Sequence, residues 1–451
     1  MSNTDNNNHY NTIIIGGGAS GMMAAICAAE SGSNKVLIIE KNSEMGKKLK
    51  ITGGGRCNIL NAEYDTEKLL SNYVGSKKYL HTPFSRFGVT ETVEFFKNIG
   101  IDIKIEDRKR AFPKSEKALD VFNAMLTKIE SFKNEDGSKV IEIKLNTKIE
   151  SFSLTQNKVE YIEVVNNKGV VENIYANKFI LSTGGMSHKE TGSDGFGFKL
   201  LEKMGIKIDD FTPSLVPVAV SNNWVKKLSG KSIENIKLTF YVDNIKKKVL
   251  KLNKLKNEID TYYENTLNTN RVLFTHSGLS GPTILNNSKY ISDWLHEGKV
   301  TVKIDLFPFL DEKGVDDTLL NIFNYNKNKM LKNVLNDIYV GNILEEIFLD
   351  KGNPLFDIDL DREVHSVTKS ERRKMVNVFK NLEIEITSLM SYDKAIIADG
   401  GVNLDEVNFD NFSLKKVKNL HVTGDMLNIS RPSGGYSLQL CWTTGYAAGS
   451  N

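Results

Sequence analysis

Gly16-Gly17-Gly18-Ala19-Ser20-Gly21 satisfies G-x-G-x-x-G, and an acid, Glu40, follows 19 residues beyond the last of these glycines. Glycines at that spacing suit one chemical task, the close approach of backbone to a pyrophosphate. Gly16 can turn the chain sharply, Gly18 has no side chain to hold phosphates away, and Gly21 lets a following helix pack tightly. A helix starting near Ala19 and Ser20 would offer free N–H groups and the positive end of its dipole to that charge. Glu40 can accept hydrogen bonds from both hydroxyls of an adenosine ribose. Its charge also disfavours a 2′-phosphate, so the ligand expected at this site is FAD or NAD rather than NADP.

The elements that must position these residues are legible around them. Thr12 to Ile15 is a short, β-branched apolar run that suits a buried parallel strand. Met22 to Glu30 contains good helix formers stopped by Ser31-Gly32, and Val36 to Ile39 is a second strand ending on Glu40. Strand, glycine turn, helix, strand, acid is the context in which the glycine pattern acquires meaning.

A second glycine loop, Gly53-Gly54-Gly55-Arg56-Cys57-Asn58, follows within about a dozen residues of the second strand. Lys41, Lys47 and Lys48 add cations, and Arg56 can neutralise a phosphate. A simple NAD domain has no need of this loop, which favours FAD. Here the chain resembles the FAD-binding superfamily that includes glutathione reductase. GGGRCN and later motifs resemble more narrowly the BaiN-like flavoproteins, also catalogued as the aminoacetone oxidase family, over nearly the whole chain. The resemblance implies that Lys48, Arg56 and Asn58 lie close to FAD. It implies that Gly184, in Ser182-Thr183-Gly184-Gly185, marks the return to the FAD domain, and that Asp425 of Gly424-Asp425 meets the ribityl chain. Ser433 to Gln439, with Gly435 and Leu438, leads into a helix over 440–448 whose N-terminus would face the flavin. The family usually has an acidic-glycine pair ahead of the second Gly-Gly; here Asn428-Ile429-Ser430-Arg431-Pro432 stands instead.

Other candidates keep two readings each. Cys57 can approach the cofactor or serve as a small packing residue. Arg110, in an Arg-x-Phe-Pro turn that the resemblance places near substrate, can hold a carboxylate or form a solvated basic turn. His276, inside Thr275-His276-Ser277-Gly278, is a proton donor or a turn histidine bonded to carbonyls. Tyr436 orients substrate or packs. Lys246 to Lys256 holds six lysines without interleaved aromatics or arginines, the pattern of a solvated hairpin more than of a nucleic-acid surface.

With 451 residues the chain needs two or three domains. Its 59 basic and 56 acidic residues leave a formal charge of only +3, so no global field demands a polyanionic partner. Cys27, Cys57 and Cys441 are far apart and form no C-x-x-C, which supports neither a disulfide framework nor a metal site. No signal peptide or membrane-spanning run is visible, so a cytoplasmic protein without membrane or nucleic-acid partners is expected; its oligomeric state is open. The expected architecture is α/β: a disordered leader over 1–9 and a split Rossmann-type FAD-binding domain over 10–194 and 395–451. A barrel-like β-rich insert takes 195–312 and 383–394, and a helical subdomain takes 313–382. The antiparallel strands expected over 140–175 would form a meander, with a separate strand at Phe179.

The expected activity is FAD-dependent oxidoreduction with a small-molecule substrate, by hydride transfer through flavin N5. No second G-x-G-x-x-G builds a domain for NADH or NADPH, so a nicotinamide reductant would bind transiently beside the insert. The resemblance implies a reductase of an enone, including oxo-bile-acid intermediates, or an amine oxidase using oxygen. An RNA-modifying or RNA-binding flavoprotein is a third reading.

Overall fold

The computed structural model describes residues 8–250, 270–338, 343–349, 358–391 and 397–450. They fall into two units, Met1–Pro213 with Ala395–Asn451, and Ser214–Lys394.

In the first unit, β1 (His9–Ile15) runs into α1 (Ala19–Glu30) and then β2 (Val36–Ile39). Ile13, Ile14 and all of β2 are buried, as strands covered on both faces require. β3 (Ile141–Lys144) pairs parallel with β2, and β4 (Thr147–Thr155), β5 (Lys158–Asn166) and β6 (Val171–Leu181) follow. The strand order is β3-β2-β1-β6-β5-β4, with β7 (Leu420–Val422) parallel to β6. The strand at Phe179 is therefore not separate. One 11-residue strand, β6, pairs antiparallel with β5 through Val171–Tyr175 and parallel with β1 as far as Leu181. Ile141 likewise aligns with Val36 in the parallel sheet instead of opening a meander. A helix, α2 (Tyr436–Ser450), lies against α1. A Cβ on Gly445 would come within 2.5 Å of Ser20 O, and one on Gly449 within 2.5 Å of Ala24 O. Small residues on both helices let these backbones approach.

The first unit reaches past the expected boundary at 194. The helix Phe196–Lys203 buries Phe198, Leu200 and Leu201 in its core, and Ile208–Ser214 pairs with Ile397–Val402. A small antiparallel sheet places Arg110–Pro113 between Leu60–Asn61 and Ile103–Glu106. Asn8 bonds to Glu172 and His9 begins β1, so the expected leader is ordered at its end; Met1 to Asn7 lie outside the described residues.

The second unit holds an eight-stranded sheet in which each pair of neighbouring described strands is antiparallel. Its edges are Ser232–Glu234 and Ile245–Leu250, so among the described strands no pairing closes a barrel. The helices Glu312–Tyr325, Leu331–Ile338, Ile343–Phe348 and Lys369–Lys380 share one apolar cluster with that sheet. Leu319, Leu335, Leu344 and Phe379 pack into the core that holds Phe240 and Ile304, so among the described residues the expected helical subdomain shares its core with the sheet. Of the lysine hairpin, Lys247 ion-pairs with Glu297 and Lys248 lies over the Tyr290 ring; Lys251 to Lys256 are outside the described residues. No described helix is long and apolar enough to cross a membrane.

Candidate cofactor site

The first glycine turn is built as its spacing predicts. Gly16 has φ +107°, and a Cβ there would lie 2.5 Å from Ser182 O. On Gly21 a Cβ would overlap Gly16 O. Gly18 differs from both: its φ is −81°, and a Cβ would meet no atom within 4 Å. It opens onto free space at the N-cap of α1. The first bond of that helix runs from Met22 N–H to Gly18 O, so the N–H groups of Ala19, Ser20 and Gly21 have no helical acceptor. No acidic side chain occupies the first turn. This is the physical requirement for holding a phosphate.

Glu40 is 8% exposed at the end of β2. Its Oε2 accepts from Gly17 N–H at 2.9 Å, and its Oε1 accepts from Asn42 N–H and Nδ2 at 2.9 and 2.8 Å. Two bonds fill Oε1, while Oε2 retains a lone pair. Glu40 can therefore take one further ribose hydroxyl, where two were expected. Asn42 went unnoticed in the sequence; its Nδ2 also reaches Thr191 O at 3.1 Å. Lys41 faces Asp194 at 2.7 Å.

Gly54 and Gly55 have φ +68° and +86° with open space where a Cβ would stand. Asn58 Oδ1 is buried and has no hydrogen-bond partner among the described residues. Arg56 is already engaged, contrary to its expected phosphate role. Its Nη2 donates to Glu106 at 2.6 Å and to Glu116 at 2.9 Å, and its guanidinium lies 4.2 Å from the Phe112 ring. Cys57 is fully buried at φ +61°, and burial pushes its thiol up to about 12, the behaviour of a packing residue.

Lys48 Nζ lies 3.3 Å from Ser187 Oγ and near Gly184, whose φ is +78°. Burial pulls its ammonium below the usual range, partly offset by the Asp425 carboxylate. Gly424, at φ +61°, brings its Cα to the first turn of α1: a Cβ there would lie 2.9 Å from Ser20 Oγ. Asp425 is ion-paired with Arg431, a residue that the sequence flagged only as a departure from the family pattern. The tight bend at Gly435, φ +102°, presses the loop onto Leu60, and Leu438 is buried behind it.

Tyr436 begins α2 and is buried, its backbone carbonyl accepting from Tyr73 OH at 3.0 Å. Burial, with Glu63 second, pushes its phenol up to about 12, so it is neutral near pH 7. Arg110 donates from Nε to Asp107 O and stands 3.8 Å from Glu106. The glycine turn, Glu40, Lys48, Asn58, Gly184 and Asp425 all belong to the first unit. His276 belongs to the second, exposed at the turn between Arg271–Thr275 and Gly278–Ser280. Among the described residues no cluster of three or more His, Cys, Asp or Glu side chains could hold a metal ion.

An open glycine turn at a helix N-terminus, a buried acid after the second strand and a glycine-aspartate turn at the last strand fit an FAD-dependent oxidoreductase, the class to which this chain belongs. The chain belongs to the HI0933-like protein Rossmann domain family, which matches residues 10–451. It is 28% identical over 424 residues to the 3-dehydro-bile acid delta(4,6)-reductase of Clostridium scindens, covering 94% of this chain and 93% of that one. It is 24% identical to the ribosomal RNA dihydrouridine synthase of Haemophilus influenzae, covering 91% of each. Among solved structures, E. coli quinol fumarate reductase FrdA superposes with a TM-score of 0.53 at 14% identity, covering 98% of this chain and 69% of that chain. That likeness speaks to the fold.

Proposed function

We propose that this enzyme is an NAD(P)H-linked reductase that saturates a C=C bond conjugated to a carbonyl in a small organic or steroid-like substrate. The observation that carries the reading is the near full-length similarity to a bile-acid delta(4,6)-reductase, joined to a fitting FAD cradle. Gly16, Gly18, Ala19, Ser20 and Gly21 would hold the pyrophosphate, and Glu40 a ribose hydroxyl. Lys48, Gly54, Gly55, Asn58, Gly184, Gly424, Asp425, Gly435 and Leu438 would line the remainder. Bound FAD would supply two-electron hydride chemistry between NADH or NADPH and the substrate's C=C bond, with a proton completing the reduction. The Tyr436 phenol, neutral near pH 7, holds a proton at its oxygen and is the first-unit candidate for orienting the carbonyl. Arg110 and His276 are the candidates for a substrate carboxylate and a proton donor.

The relatives named ribosomal RNA dihydrouridine synthases favour a second reading with the same chemistry. Their product also results from adding two hydrogens across a C=C bond conjugated to a carbonyl. Reaction type is thus common to both readings, and substrate size divides them. The first reading belongs to a cytoplasmic enzyme without nucleic-acid or membrane partners.

Anaerobic stopped-flow absorbance at the flavin band tests the proposal, with FAD-loaded protein mixed first with NADH or NADPH and then with a steroid dienone. Bleaching within seconds, then return of oxidised flavin on adding the dienone, is the expected result. Bleaching reversed only by unmodified ribosomal RNA would transfer the proposal to the second reading. No bleaching by either nicotinamide, with oxygen uptake on adding amines, would overturn the reductase reading.

A further inference from the structure

Asn42 stands two residues beyond Glu40 and spends every polar atom of its side chain. Its Nδ2 donates one hydrogen to Glu40 Oε1 at 2.8 Å and the other to Thr191 O at 3.1 Å, and its Oδ1 accepts from Lys47 Nζ at 3.4 Å. The amide cannot be turned over, because its oxygen would then face two acceptors. Its backbone is engaged as well. The N–H donates to Glu40 Oε1 at 2.9 Å, and the carbonyl accepts from Asn146 N–H at 3.0 Å, beside the bond from Thr147 N–H to Glu40 O. The loop 191–194 closes the other side. Gly192, at φ +108°, is pressed so near that a Cβ would lie 2.6 Å from Asn42 Nδ2 and 3.2 Å from Lys41 Cε, and Asp194 pairs with Lys41. All of these residues belong to the first unit.

Three donors therefore fix the Glu40 carboxylate: Gly17 N–H on Oε2, and the N–H and Nδ2 of Asn42 on Oε1. A carboxylate free at both oxygens can take two neighbouring ribose hydroxyls as a fork. Here Oε1 is full, and only Oε2, the oxygen that touches the glycine turn, keeps a lone pair. We infer that Asn42 is a positioning residue that makes Glu40 hold one of the two adenosine ribose hydroxyls and ties this acid to the loop 191–194. The inference rests on FAD binding at the cradle, as proposed above. Without Nδ2, Oε1 regains a lone pair and the carboxylate can turn, so that either hydroxyl can be met.

The test titrates the full-length chain, stripped of ligand, with FAD, ADP, 2′-deoxy-ADP and 3′-deoxy-ADP by calorimetry. In the wild type one deoxy analogue is expected to bind roughly tenfold weaker than ADP, the loss of one hydrogen bond to a charged group, and the other to bind as ADP does. In Asn42→Ala the two analogues should come within about threefold of each other. General loosening of the fold would weaken all the ligands alike and leave their ratios unchanged, so the ratios separate positioning from stability. Asn42→Asp, equal in size but without the amide donor, should lose the preference in the same way and decides if Asn42→Ala does not fold. Equal weakening of both analogues in the wild type, weakening of neither, or a preference that survives in a folded variant would overturn the inference. So would a wild-type chain that binds FAD and ignores ADP. A wild-type chain that binds neither FAD nor ADP would instead overturn the function proposed above, so the two failures are distinguishable.

Discussion

Gly18→Val separates folding from cofactor binding. The backbone at Gly18 has φ −81° and ψ −170°, a conformation open to any residue, and a Cβ meets no atom within 4 Å. The apo fold should therefore lose no more than about 0.5 kcal/mol. The branched side chain would occupy the space in front of the Ala19 and Ser20 N–H groups. Two charge-assisted bonds to a pyrophosphate, at about 1.5–3 kcal/mol each, would be lost. That sums to about 3–6 kcal/mol, or roughly two to four orders of magnitude in FAD affinity. Gly21→Ala is the control, because its Cβ would overlap Gly16 O and overpacking costs about 1–3 kcal/mol of stability. Thermal unfolding of apo protein and FAD titration by flavin fluorescence read the two effects. A Gly18→Val protein that melts like wild type and binds FAD with unchanged affinity would refute this use of the turn.

Glu40→Gln replaces an acceptor-only group, bonded to Gly17 and Asn42, by one that presents donors to donors. It should cost about 1–3 kcal/mol in apo stability and weaken FAD binding as well, measured by unfolding and titration. Gly445→Val should destabilise the α1–α2 crossing by at least about 1–3 kcal/mol and lower FAD retention, read by calorimetry and flavin absorbance. Burial pushes the Cys27, Cys57 and Cys441 thiols up to about 12 from an ordinary value near 9. The folded chain then holds thiol protons that the unfolded chain gives up. Each contribution is present below about pH 9 and lost at about 1.4 kcal/mol per pH unit up to about pH 12. Unfolding midpoints between pH 8 and 11 should fall accordingly, and a thiol reagent at pH 8 should label native protein far more slowly than denatured protein. Fast stoichiometric labelling of the native chain would contradict the burial.

The first βαβ segment was legible because its signals are local. The apolar run before Gly16, the three glycines and Glu40 each dictate a neighbouring backbone conformation, and Gly16, Gly18 and Gly21 take the three different environments that their spacing implies. Long-range pairing was less visible. Nothing in residues 171–181 says that one strand passes from β5 to β1, because that depends on registers such as Ile13 with Phe179. Residues 77–98 form two helices, Lys77–Arg86 and Val89–Asn98, broken at Gly88, where a Cβ would lie 2.6 Å from Phe84 O, a close approach that no neighbouring residue type announces. At the site, charged residues were the hardest to place. Arg56 and Lys41 found carboxylates about 50 and about 150 residues further along the chain, and such partners have no local sequence signal. Arg431 was visible only as an odd residue in a loop, and its meaning came from its pairing with Asp425.

The flavin content of the chain tests the central claim most directly. Protein stripped of ligand should be titrated with FAD by calorimetry and its absorbance spectrum recorded. The account predicts saturation at one FAD per chain, with a flavin spectrum that Gly18→Val fails to acquire. A chain that stays colourless at saturating FAD, or that binds FAD equally well with Gly18→Val, would contradict it.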